Sequence, residues 1–372
     1  MSQKLILAAG ILLIIASFVH IGLPPDRGGG GETAITITGA VKTGINLTFA
    51  DILKFKSCVK RVKAYDSQNR YSGSFEMECI NLCDIISIDN IQKKVGDGFD
   101  RDLDMYIAVR GRSGRRALFS YGEIFLNNGF DAVVLTRSAR SVFPHKHEDL
   151  KPFGFDTQKW NSARESRSLD FKTCAACHNG KDQQALFFPA GLCVYAAGDM
   201  TPDRFIEDAY EIEICQIADR KISADMKKDE MWSDSIIMNI LEEKSAEITL
   251  NALSTFNRTG FTENTVGLGK GFHGKNSYEG VDMAEIITAW CGGEVDRAGS
   301  YFVVSAADGY RSLYSAGEIF NRVNGPNLFL IDRENNNELS KGSGRFRTFI
   351  KSDFFIDRSV RSVKEIYYNK IK

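Results

Sequence analysis

The chain is short of several things, and each shortage excludes a class of protein. Only 7 of 372 residues are Pro, so it is neither a Pro-rich linker nor a low-complexity segment. Its formal net charge is −1, which gives no global field to draw in nucleic acid. Eight Cys are too few for a disulfide-dense scaffold of this length. No Gly-rich phosphate loop and no Ser-His-Asp arrangement stands out. His is scarce too: there are five, and three of them fall within one stretch, His145, His147 and His178. Hydrophobic residues at 43% and charged residues at 26% describe a folded chain, long enough for about two domains.

Long apolar runs are also missing, with one exception at the start. Leu5 to Leu23 carries no charge and follows Lys4. At helical rise it spans roughly 28 Å, enough for a hydrocarbon core. The stretch Ala16-Ser17-Phe18-Val19-His20 makes a poor cleavage site, so an uncleaved transmembrane helix is favoured over a removed signal peptide. Both readings export the remainder, which places it membrane-anchored on the periplasmic face. Residues 1–30 are therefore read as signal anchor and Gly-rich linker.

From Ala34 the pattern turns to period-two alternation, as in Ala34-Ile35-Thr36-Ile37-Thr38. An internal repeat follows. Tyr106–Phe125 (YIAVRGRSGRRALFSYGEIF) and Tyr301–Phe320 (YFVVSAADGYRSLYSAGEIF) share ten of twenty residues, ungapped, at an offset of 195. Each predicts a strand, a turn at Gly114 or Gly309, a second strand, and a helix capped by Ser120 or Ser315. Cys79–Ile86 matches Gly280–Ile287 upstream. Downstream, Asp203-Arg204 through Ile212 matches Asp357-Arg358 through Ile366 at an offset of 154. The fall in offset leaves about 41 extra residues in the first copy, between Leu135 and Phe187. This bounds four segments after the linker: a first domain at 34–215, an insertion within it at about 136–186, a helical linker at 216–246, and a second domain at 247–372.

The insertion holds Cys174-Ala175-Ala176-Cys177-His178, the attachment signature of a c-type haem. Two thiols at this spacing can add to two porphyrin vinyl groups while the adjacent His reaches the iron. Attachment also requires export, which the N-terminus supplies. Cys174 and Cys177 are thus the expected thioether residues and His178 the proximal ligand. For the distal position His147 or His145 ranks first, an open or weakly filled site second, and Met200 third. A zinc site using Cys174, Cys177, Cys193 and a His, or a Cys174–Cys177 disulfide, remains open, but neither explains why His follows immediately.

The strand, the Gly280-Val281 helix entry and Ala306-Ala307-Asp308-Gly309-Tyr310 with Glu318 resemble the molybdopterin-binding oxidoreductase domain of the sulfite oxidase type. The first copy resembles it less: Ser113-Gly114-Arg115 replaces Asp-Gly-Tyr, and Cys79 replaces Gly280. The resemblance implies a mixed α/β fold, two tandem domains with largely antiparallel curved sheets. In that family one Cys before the helix binds molybdenum. Here no Cys precedes Gly280 in the second copy, and Cys58 lies 21 residues before Cys79 in the first. Bound molybdopterin is therefore not expected. The expectation is an exported monohaem electron-transfer protein serving a periplasmic redox partner. A molybdenum oxidoreductase reducing its own haem is the first alternative, and a non-redox binding module with a zinc or disulfide site is the second.

Overall fold

Strand-forming residues alternate through most of the chain, and the structure, a computed structural model, follows them into four five-stranded sheets. It describes residues 33–371 except 66–70, 95–98, 128–132, 142–184, 188–191, 218–230, 242–243, 293–294 and 323–324. The described residues from Ala34 onward belong to one compact unit.

In the first half, β1 (Thr33–Gly39), β2 (Ile45–Thr48), β5 (Met105–Gly111), β6 (Arg116–Ser120) and β10 (Ala209–Gln216) form a sheet of order β2-β1-β10-β5-β6. In the second half, β11 (Ser235–Ile240), β12 (Lys244–Thr249), β15 (Ser300–Ala306), β16 (Arg311–Ser315) and β20 (Val363–Lys370) repeat that order as β12-β11-β20-β15-β16. Within each, the first strand pairs parallel with the last, β1 with β10 and β11 with β20. The other two sheets repeat in the same way. β3 (Cys58–Tyr65), β4 (Tyr71–Asn81), β7 (Val133–Ser141) and β8 (Ala185–Phe187) run in order, with β9 (Cys193–Ala196) also on β7. Their counterparts are β13 (Arg258–Gly267), β14 (Gly271–Asp282), β17 (Leu328–Glu334), β18 (Asn337–Glu338) and β19 (Arg347–Ile350).

Helices are brief. Five of the six described have four or five residues: α1 (Phe49–Ile52), α2 (Leu82–Ile85), α3 (Tyr121–Phe125), α4 (Leu250–Leu253) and α6 (Ala316–Phe320). The longest, α5 (Met283–Cys291), has nine residues and ends on Gly292 in the left-handed region. The fold is therefore predominantly β, which corrects the mixed α/β class drawn from the sequence. The apolar residues at helical spacing after Cys79 and Gly280 partly extend β4 and β14, and only the residues beyond Asn81 and Asp282 coil. No described helix is long and apolar enough to cross a membrane, and the transmembrane stretch expected at Leu5–Leu23 lies outside the described residues.

Within the helical linker expected at 216–246, the described residues Ser235–Ile240 form a strand. Ile236, Met238 and Ile240 are buried while Ser235, Ile237 and Asn239 are partly exposed, a period of two that builds β11. β11 pairs with β20 and so joins the second-half sheet, and 218–230 lie outside the described residues.

Each half has its own core. Ile35, Ile37, Ile107, Val109, Phe119, Ile212 and Ile214 anchor the first, and Ile236, Met238, Phe302, Val304, Tyr314 and Ile366 the second. A third cluster joins them: Leu118 of β6 packs with Tyr301, Val303, Leu313 and Tyr367. There Tyr106 stacks on Tyr301 at 5.2 Å between centroids, and the Leu118 amide donates to the Ala298 carbonyl at 2.8 Å. Burying each such aliphatic side chain contributes about 1.5–3 kcal/mol, so the two halves are held by more than polar contacts.

Candidate functional site

Asn335 and Asn336, both at positive φ (52° and 64°), turn β17 into β18. That is the geometry of a two-residue hairpin whose twist suits the flanking strands. At the equivalent place in the first half, β7 pairs with β8 through Ser141↔Ala185, and residues 142–184 stand between them. The insert therefore leaves and re-enters at neighbouring positions of one ladder, about 5 Å apart. Cys174, Cys177, His178, His145 and His147 all belong to it and lie outside the described residues. Met200 is described. It is half-buried between buried Asp199 and Thr201, and its amide donates to the Asn321 carbonyl at 2.7 Å. That bond fixes Met200 at the seam between the halves.

The seam is built from duplicated ions. Arg204 is fully buried and forks onto Glu123 (2.7 and 2.8 Å) and Asp199 (2.6 and 2.8 Å), while its Nη1 also donates to Ser315 Oγ across the seam at 3.1 Å. Arg358 does the same in the second half, with Glu318 (3.0 Å) and Asp353 (2.5 Å), and reaches Ser120 Oγ at 2.9 Å. Each guanidinium lies on a glycine of the opposite half. A Cβ on Gly317 would stand 2.1 Å from Arg204 Nε, and one on Gly122 would stand 2.1 Å from Arg358 Cδ. The caps are shared with this network. Ser315 and Glu318 form the full capping box of α6 while Glu318 also accepts from Arg358, whereas Ser120 caps α3 through its side chain alone.

The two sites differ in the ring beneath the guanidinium, Phe119 under Arg204 and Tyr314 under Arg358, and in one charged neighbour. Arg322 reaches Glu123 at 3.4 Å, and its first-half counterpart is Asn127. Burial alone would raise the Glu123 carboxyl, but Arg204 and Arg322 together hold it below the usual range. Burial raises Glu318, Asp199 and Asp353 despite their guanidinium partners. Within this set Arg204, Arg358 and Arg322 face four carboxyls, so full ionisation leaves one negative charge in excess. The sequence showed Asp203-Arg204 and Asp357-Arg358 as a repeat but not their burial. The usable signal was the pair Asp199…Arg204 and Asp353…Arg358, an acid and a base at one spacing in both copies.

Beside the seam opens a cleft of about 770 Å³, lined from the first half by Arg101, Asp102 and Tyr121 and from the second by His273, Tyr310 and Arg347, among others. Tyr310 donates to the Asp357 carbonyl and lies 5.2 Å under the Arg101 guanidinium. Burial and the neighbouring Arg361 lower the affinity of Arg347 for its proton. His273 belongs to β14 and lines this cleft. Among the described residues that line it there is no cysteine. Among the described residues, no group of three His, Cys, Asp or Glu could hold a metal ion.

The remaining features are local. Arg110 pairs with Glu213 at 2.9 Å, and Arg115 donates to the Pro202 and Asp203 carbonyls, so the basic first-half hairpin is partly neutralised. Cys193 and Cys215 lie on β9 and β10. Cys58 and Cys79 face each other across β3 and β4 with sulfurs 3.5 Å apart.

Comparison with solved structures finds several matching chains. The chain is similar to the sulfane dehydrogenase SoxCD of Paracoccus pantotrophus at 16% identity and a TM-score of 0.31. The match covers 46% of this chain and 44% of that one, so it spans less than half of either. No family model matches, and no curated protein matches. At that TM-score the likeness is distant and assigns neither a cofactor nor an activity.

Proposed function

We propose that this chain is an exported c-type cytochrome that passes single electrons to a redox partner protein. The observation that carries the reading is the placement of Cys174-x-x-Cys177-His178 in a segment that replaces a two-residue hairpin turn. Such a tip accepts a long insertion because the ladder beneath it is already closed, and extra loop length costs only about 0.6 kcal/mol per doubling.

Haem, when bound, supplies reversible one-electron exchange at its iron. The donor set fits it: Cys174 and Cys177 would hold the porphyrin through thioethers and His178 would ligate the iron. His147 or His145 would take the sixth position ahead of Met200, whose backbone is tied to Asn321 at the seam. Phe143, Phe153, Phe155 and Trp160 of the same insert would shield the porphyrin faces. The two repeated halves would serve as a scaffold presenting the haem edge to its partner.

The test is a pyridine haemochrome spectrum with an intact mass and a metal count on one sample, after export in a host competent for haem attachment. One covalently bound haem and no molybdenum per chain are expected, and Cys174→Ala with Cys177→Ala should abolish the covalent adduct. An unmodified polypeptide mass from such a host would overturn the reading.

A further inference from the structure

Cys58 opens β3, and Cys79 lies directly opposite it on β4. Cross-strand partners have Cα atoms about 4.5–5.5 Å apart, within the 4.4–6.8 Å that a disulfide spans. The sulfurs are already 3.5 Å apart. Cys79 is fully buried beside Met77 and Tyr195, while Cys58 is half-buried and reaches toward Asn81 Oδ1. The other thiols are worse placed. Cys193 and Cys79 both pair with Thr136 of β7, so two strand spacings, about 9–10 Å, separate them. Cys83 sits one turn beyond Cys79 on α2, and burial pushes its thiol up to about 11. Cys215 belongs to a different sheet.

We propose that Cys58 and Cys79 form a disulfide that staples β3 to β4, the edge of the sheet whose β7–β8 hairpin carries the insert. The oxidant is a disulfide donor, protein or small-molecule, of the kind found outside the cytoplasm. The Cys58 thiolate attacks one donor sulfur and expels the other as a thiolate. The Cys79 sulfur, giving up its proton, then attacks Cys58 Sγ and releases the second donor thiol. Two protein thiols are oxidised and one donor disulfide is reduced to two thiols. Cys58 acts first because it is the accessible member, and burial holds the Cys79 thiol well above its ordinary range. The bridge also engages the one thiol that precedes Cys79 in the first half, the only place there for a metal thiolate of the sulfite oxidase kind.

The test uses the full chain equilibrated with oxidised and reduced glutathione, then alkylated and mapped by mass spectrometry. The expected product is one cross-linked peptide pair joining Cys58 to Cys79, about 2 Da lighter than the reduced pair. In Cys58→Ser the cross-link should vanish, and Cys79 should react with alkylating agent only after unfolding. The midpoint of urea unfolding should rise on oxidation of the wild type and stay fixed in the variant. Free Cys58 and Cys79 after oxidation, or Cys79 bonded to Cys83 or Cys193, would overturn the proposal. These peptides exclude Cys174 and Cys177, so the outcome reads the same whether or not haem is attached.

Discussion

Where the second half joins β17 to β18 through Asn335 and Asn336, the first half places residues 142–184 between β7 and β8. The strand orders around the two hairpins are otherwise the same. The comparison separates what the fold needs from what was added to it. The sheets and the buried ion pairs occur twice, and the haem motif occurs once, at a tip. Excising 142–184 and closing the gap with Asn-Asn sharpens this and carries the largest expected effect. Covalent haem, where attached, should be lost completely, while the apo scaffold keeps its cooperative unfolding and gains up to about 3 kcal/mol from the shorter loop. Thermal denaturation of the two apo chains checks it. A scaffold that unfolds on excision would make the insert part of the core.

The ion pairs offer a second contrast, because they repeat one acid–base pattern but differ at Asn127/Arg322 and at Phe119/Tyr314. Removing one partner of a buried, hydrogen-bonded pair costs about 3–5 kcal/mol, since the other charge stays buried. Arg358→Met should reach that range in urea unfolding. Arg204→Met should cost about 1 kcal/mol less, because Arg322 remains 3.4 Å from Glu123. In an Arg322→Asn background, which copies Asn127 of the first half, the two costs should converge. If Arg204→Met remains the milder change there, Arg322 is not the source of the asymmetry.

The same contrast has a pH signature of smaller size. Glu123 is held below its ordinary 4.5, so its contribution is present above that pH and lost as pH falls through its folded value. Glu318 is raised, so its contribution is full below 4.5 and declines as pH rises through its folded value. On acidification from about pH 6 to about pH 3, the stability gap between wild type and Glu123→Gln should shrink. The gap to Glu318→Gln should move the other way, in favour of the wild type. Urea midpoints across that range decide it, and parallel slopes for the two variants would refute the assignment.

Much of the repeat was legible in sequence because strands and turns carry local signals. Gly114 and Gly309 stand at φ 84° and 85° in the expected turns, and Ser120 and Ser315 cap the expected helices. The 195 and 154 offsets hold through to the paired strands and to Arg204 and Arg358. What sequence could not show was pairing across the seam, since Arg204 meets Ser315 and Gly317 from 111 residues away or more. It also misread β11, where apolar residues at 236, 237, 240 and 241 fit helical spacing as well as a strand. Burial of alternate residues against the second core decided for the strand, an instance of tertiary packing overriding local pattern. The cleft was partly legible, because Asp308-Gly309-Tyr310 was singled out, but Arg101 and Met231 reach it only through the fold.

The smallest effect tests the hairpin that the second half retained. Asn336 sits at φ 64°, where a Cβ without a short polar group is disfavoured by about 1–2 kcal/mol. Asn336→Ala should therefore destabilise by about 1 kcal/mol, and Asn336→Gly should be neutral or slightly stabilising. Both follow from the left-handed backbone alone, because it is the Asn335 and Asn337 side chains, not that of Asn336, that hold the turn to Asn276, Ser277 and the Asn335 carbonyl. Thermal midpoints of the two variants check the order. Should alanine and glycine behave alike, the two-residue turn is not what keeps β17 and β18 in register, and the replacement of that turn by residues 142–184 would need another physical basis.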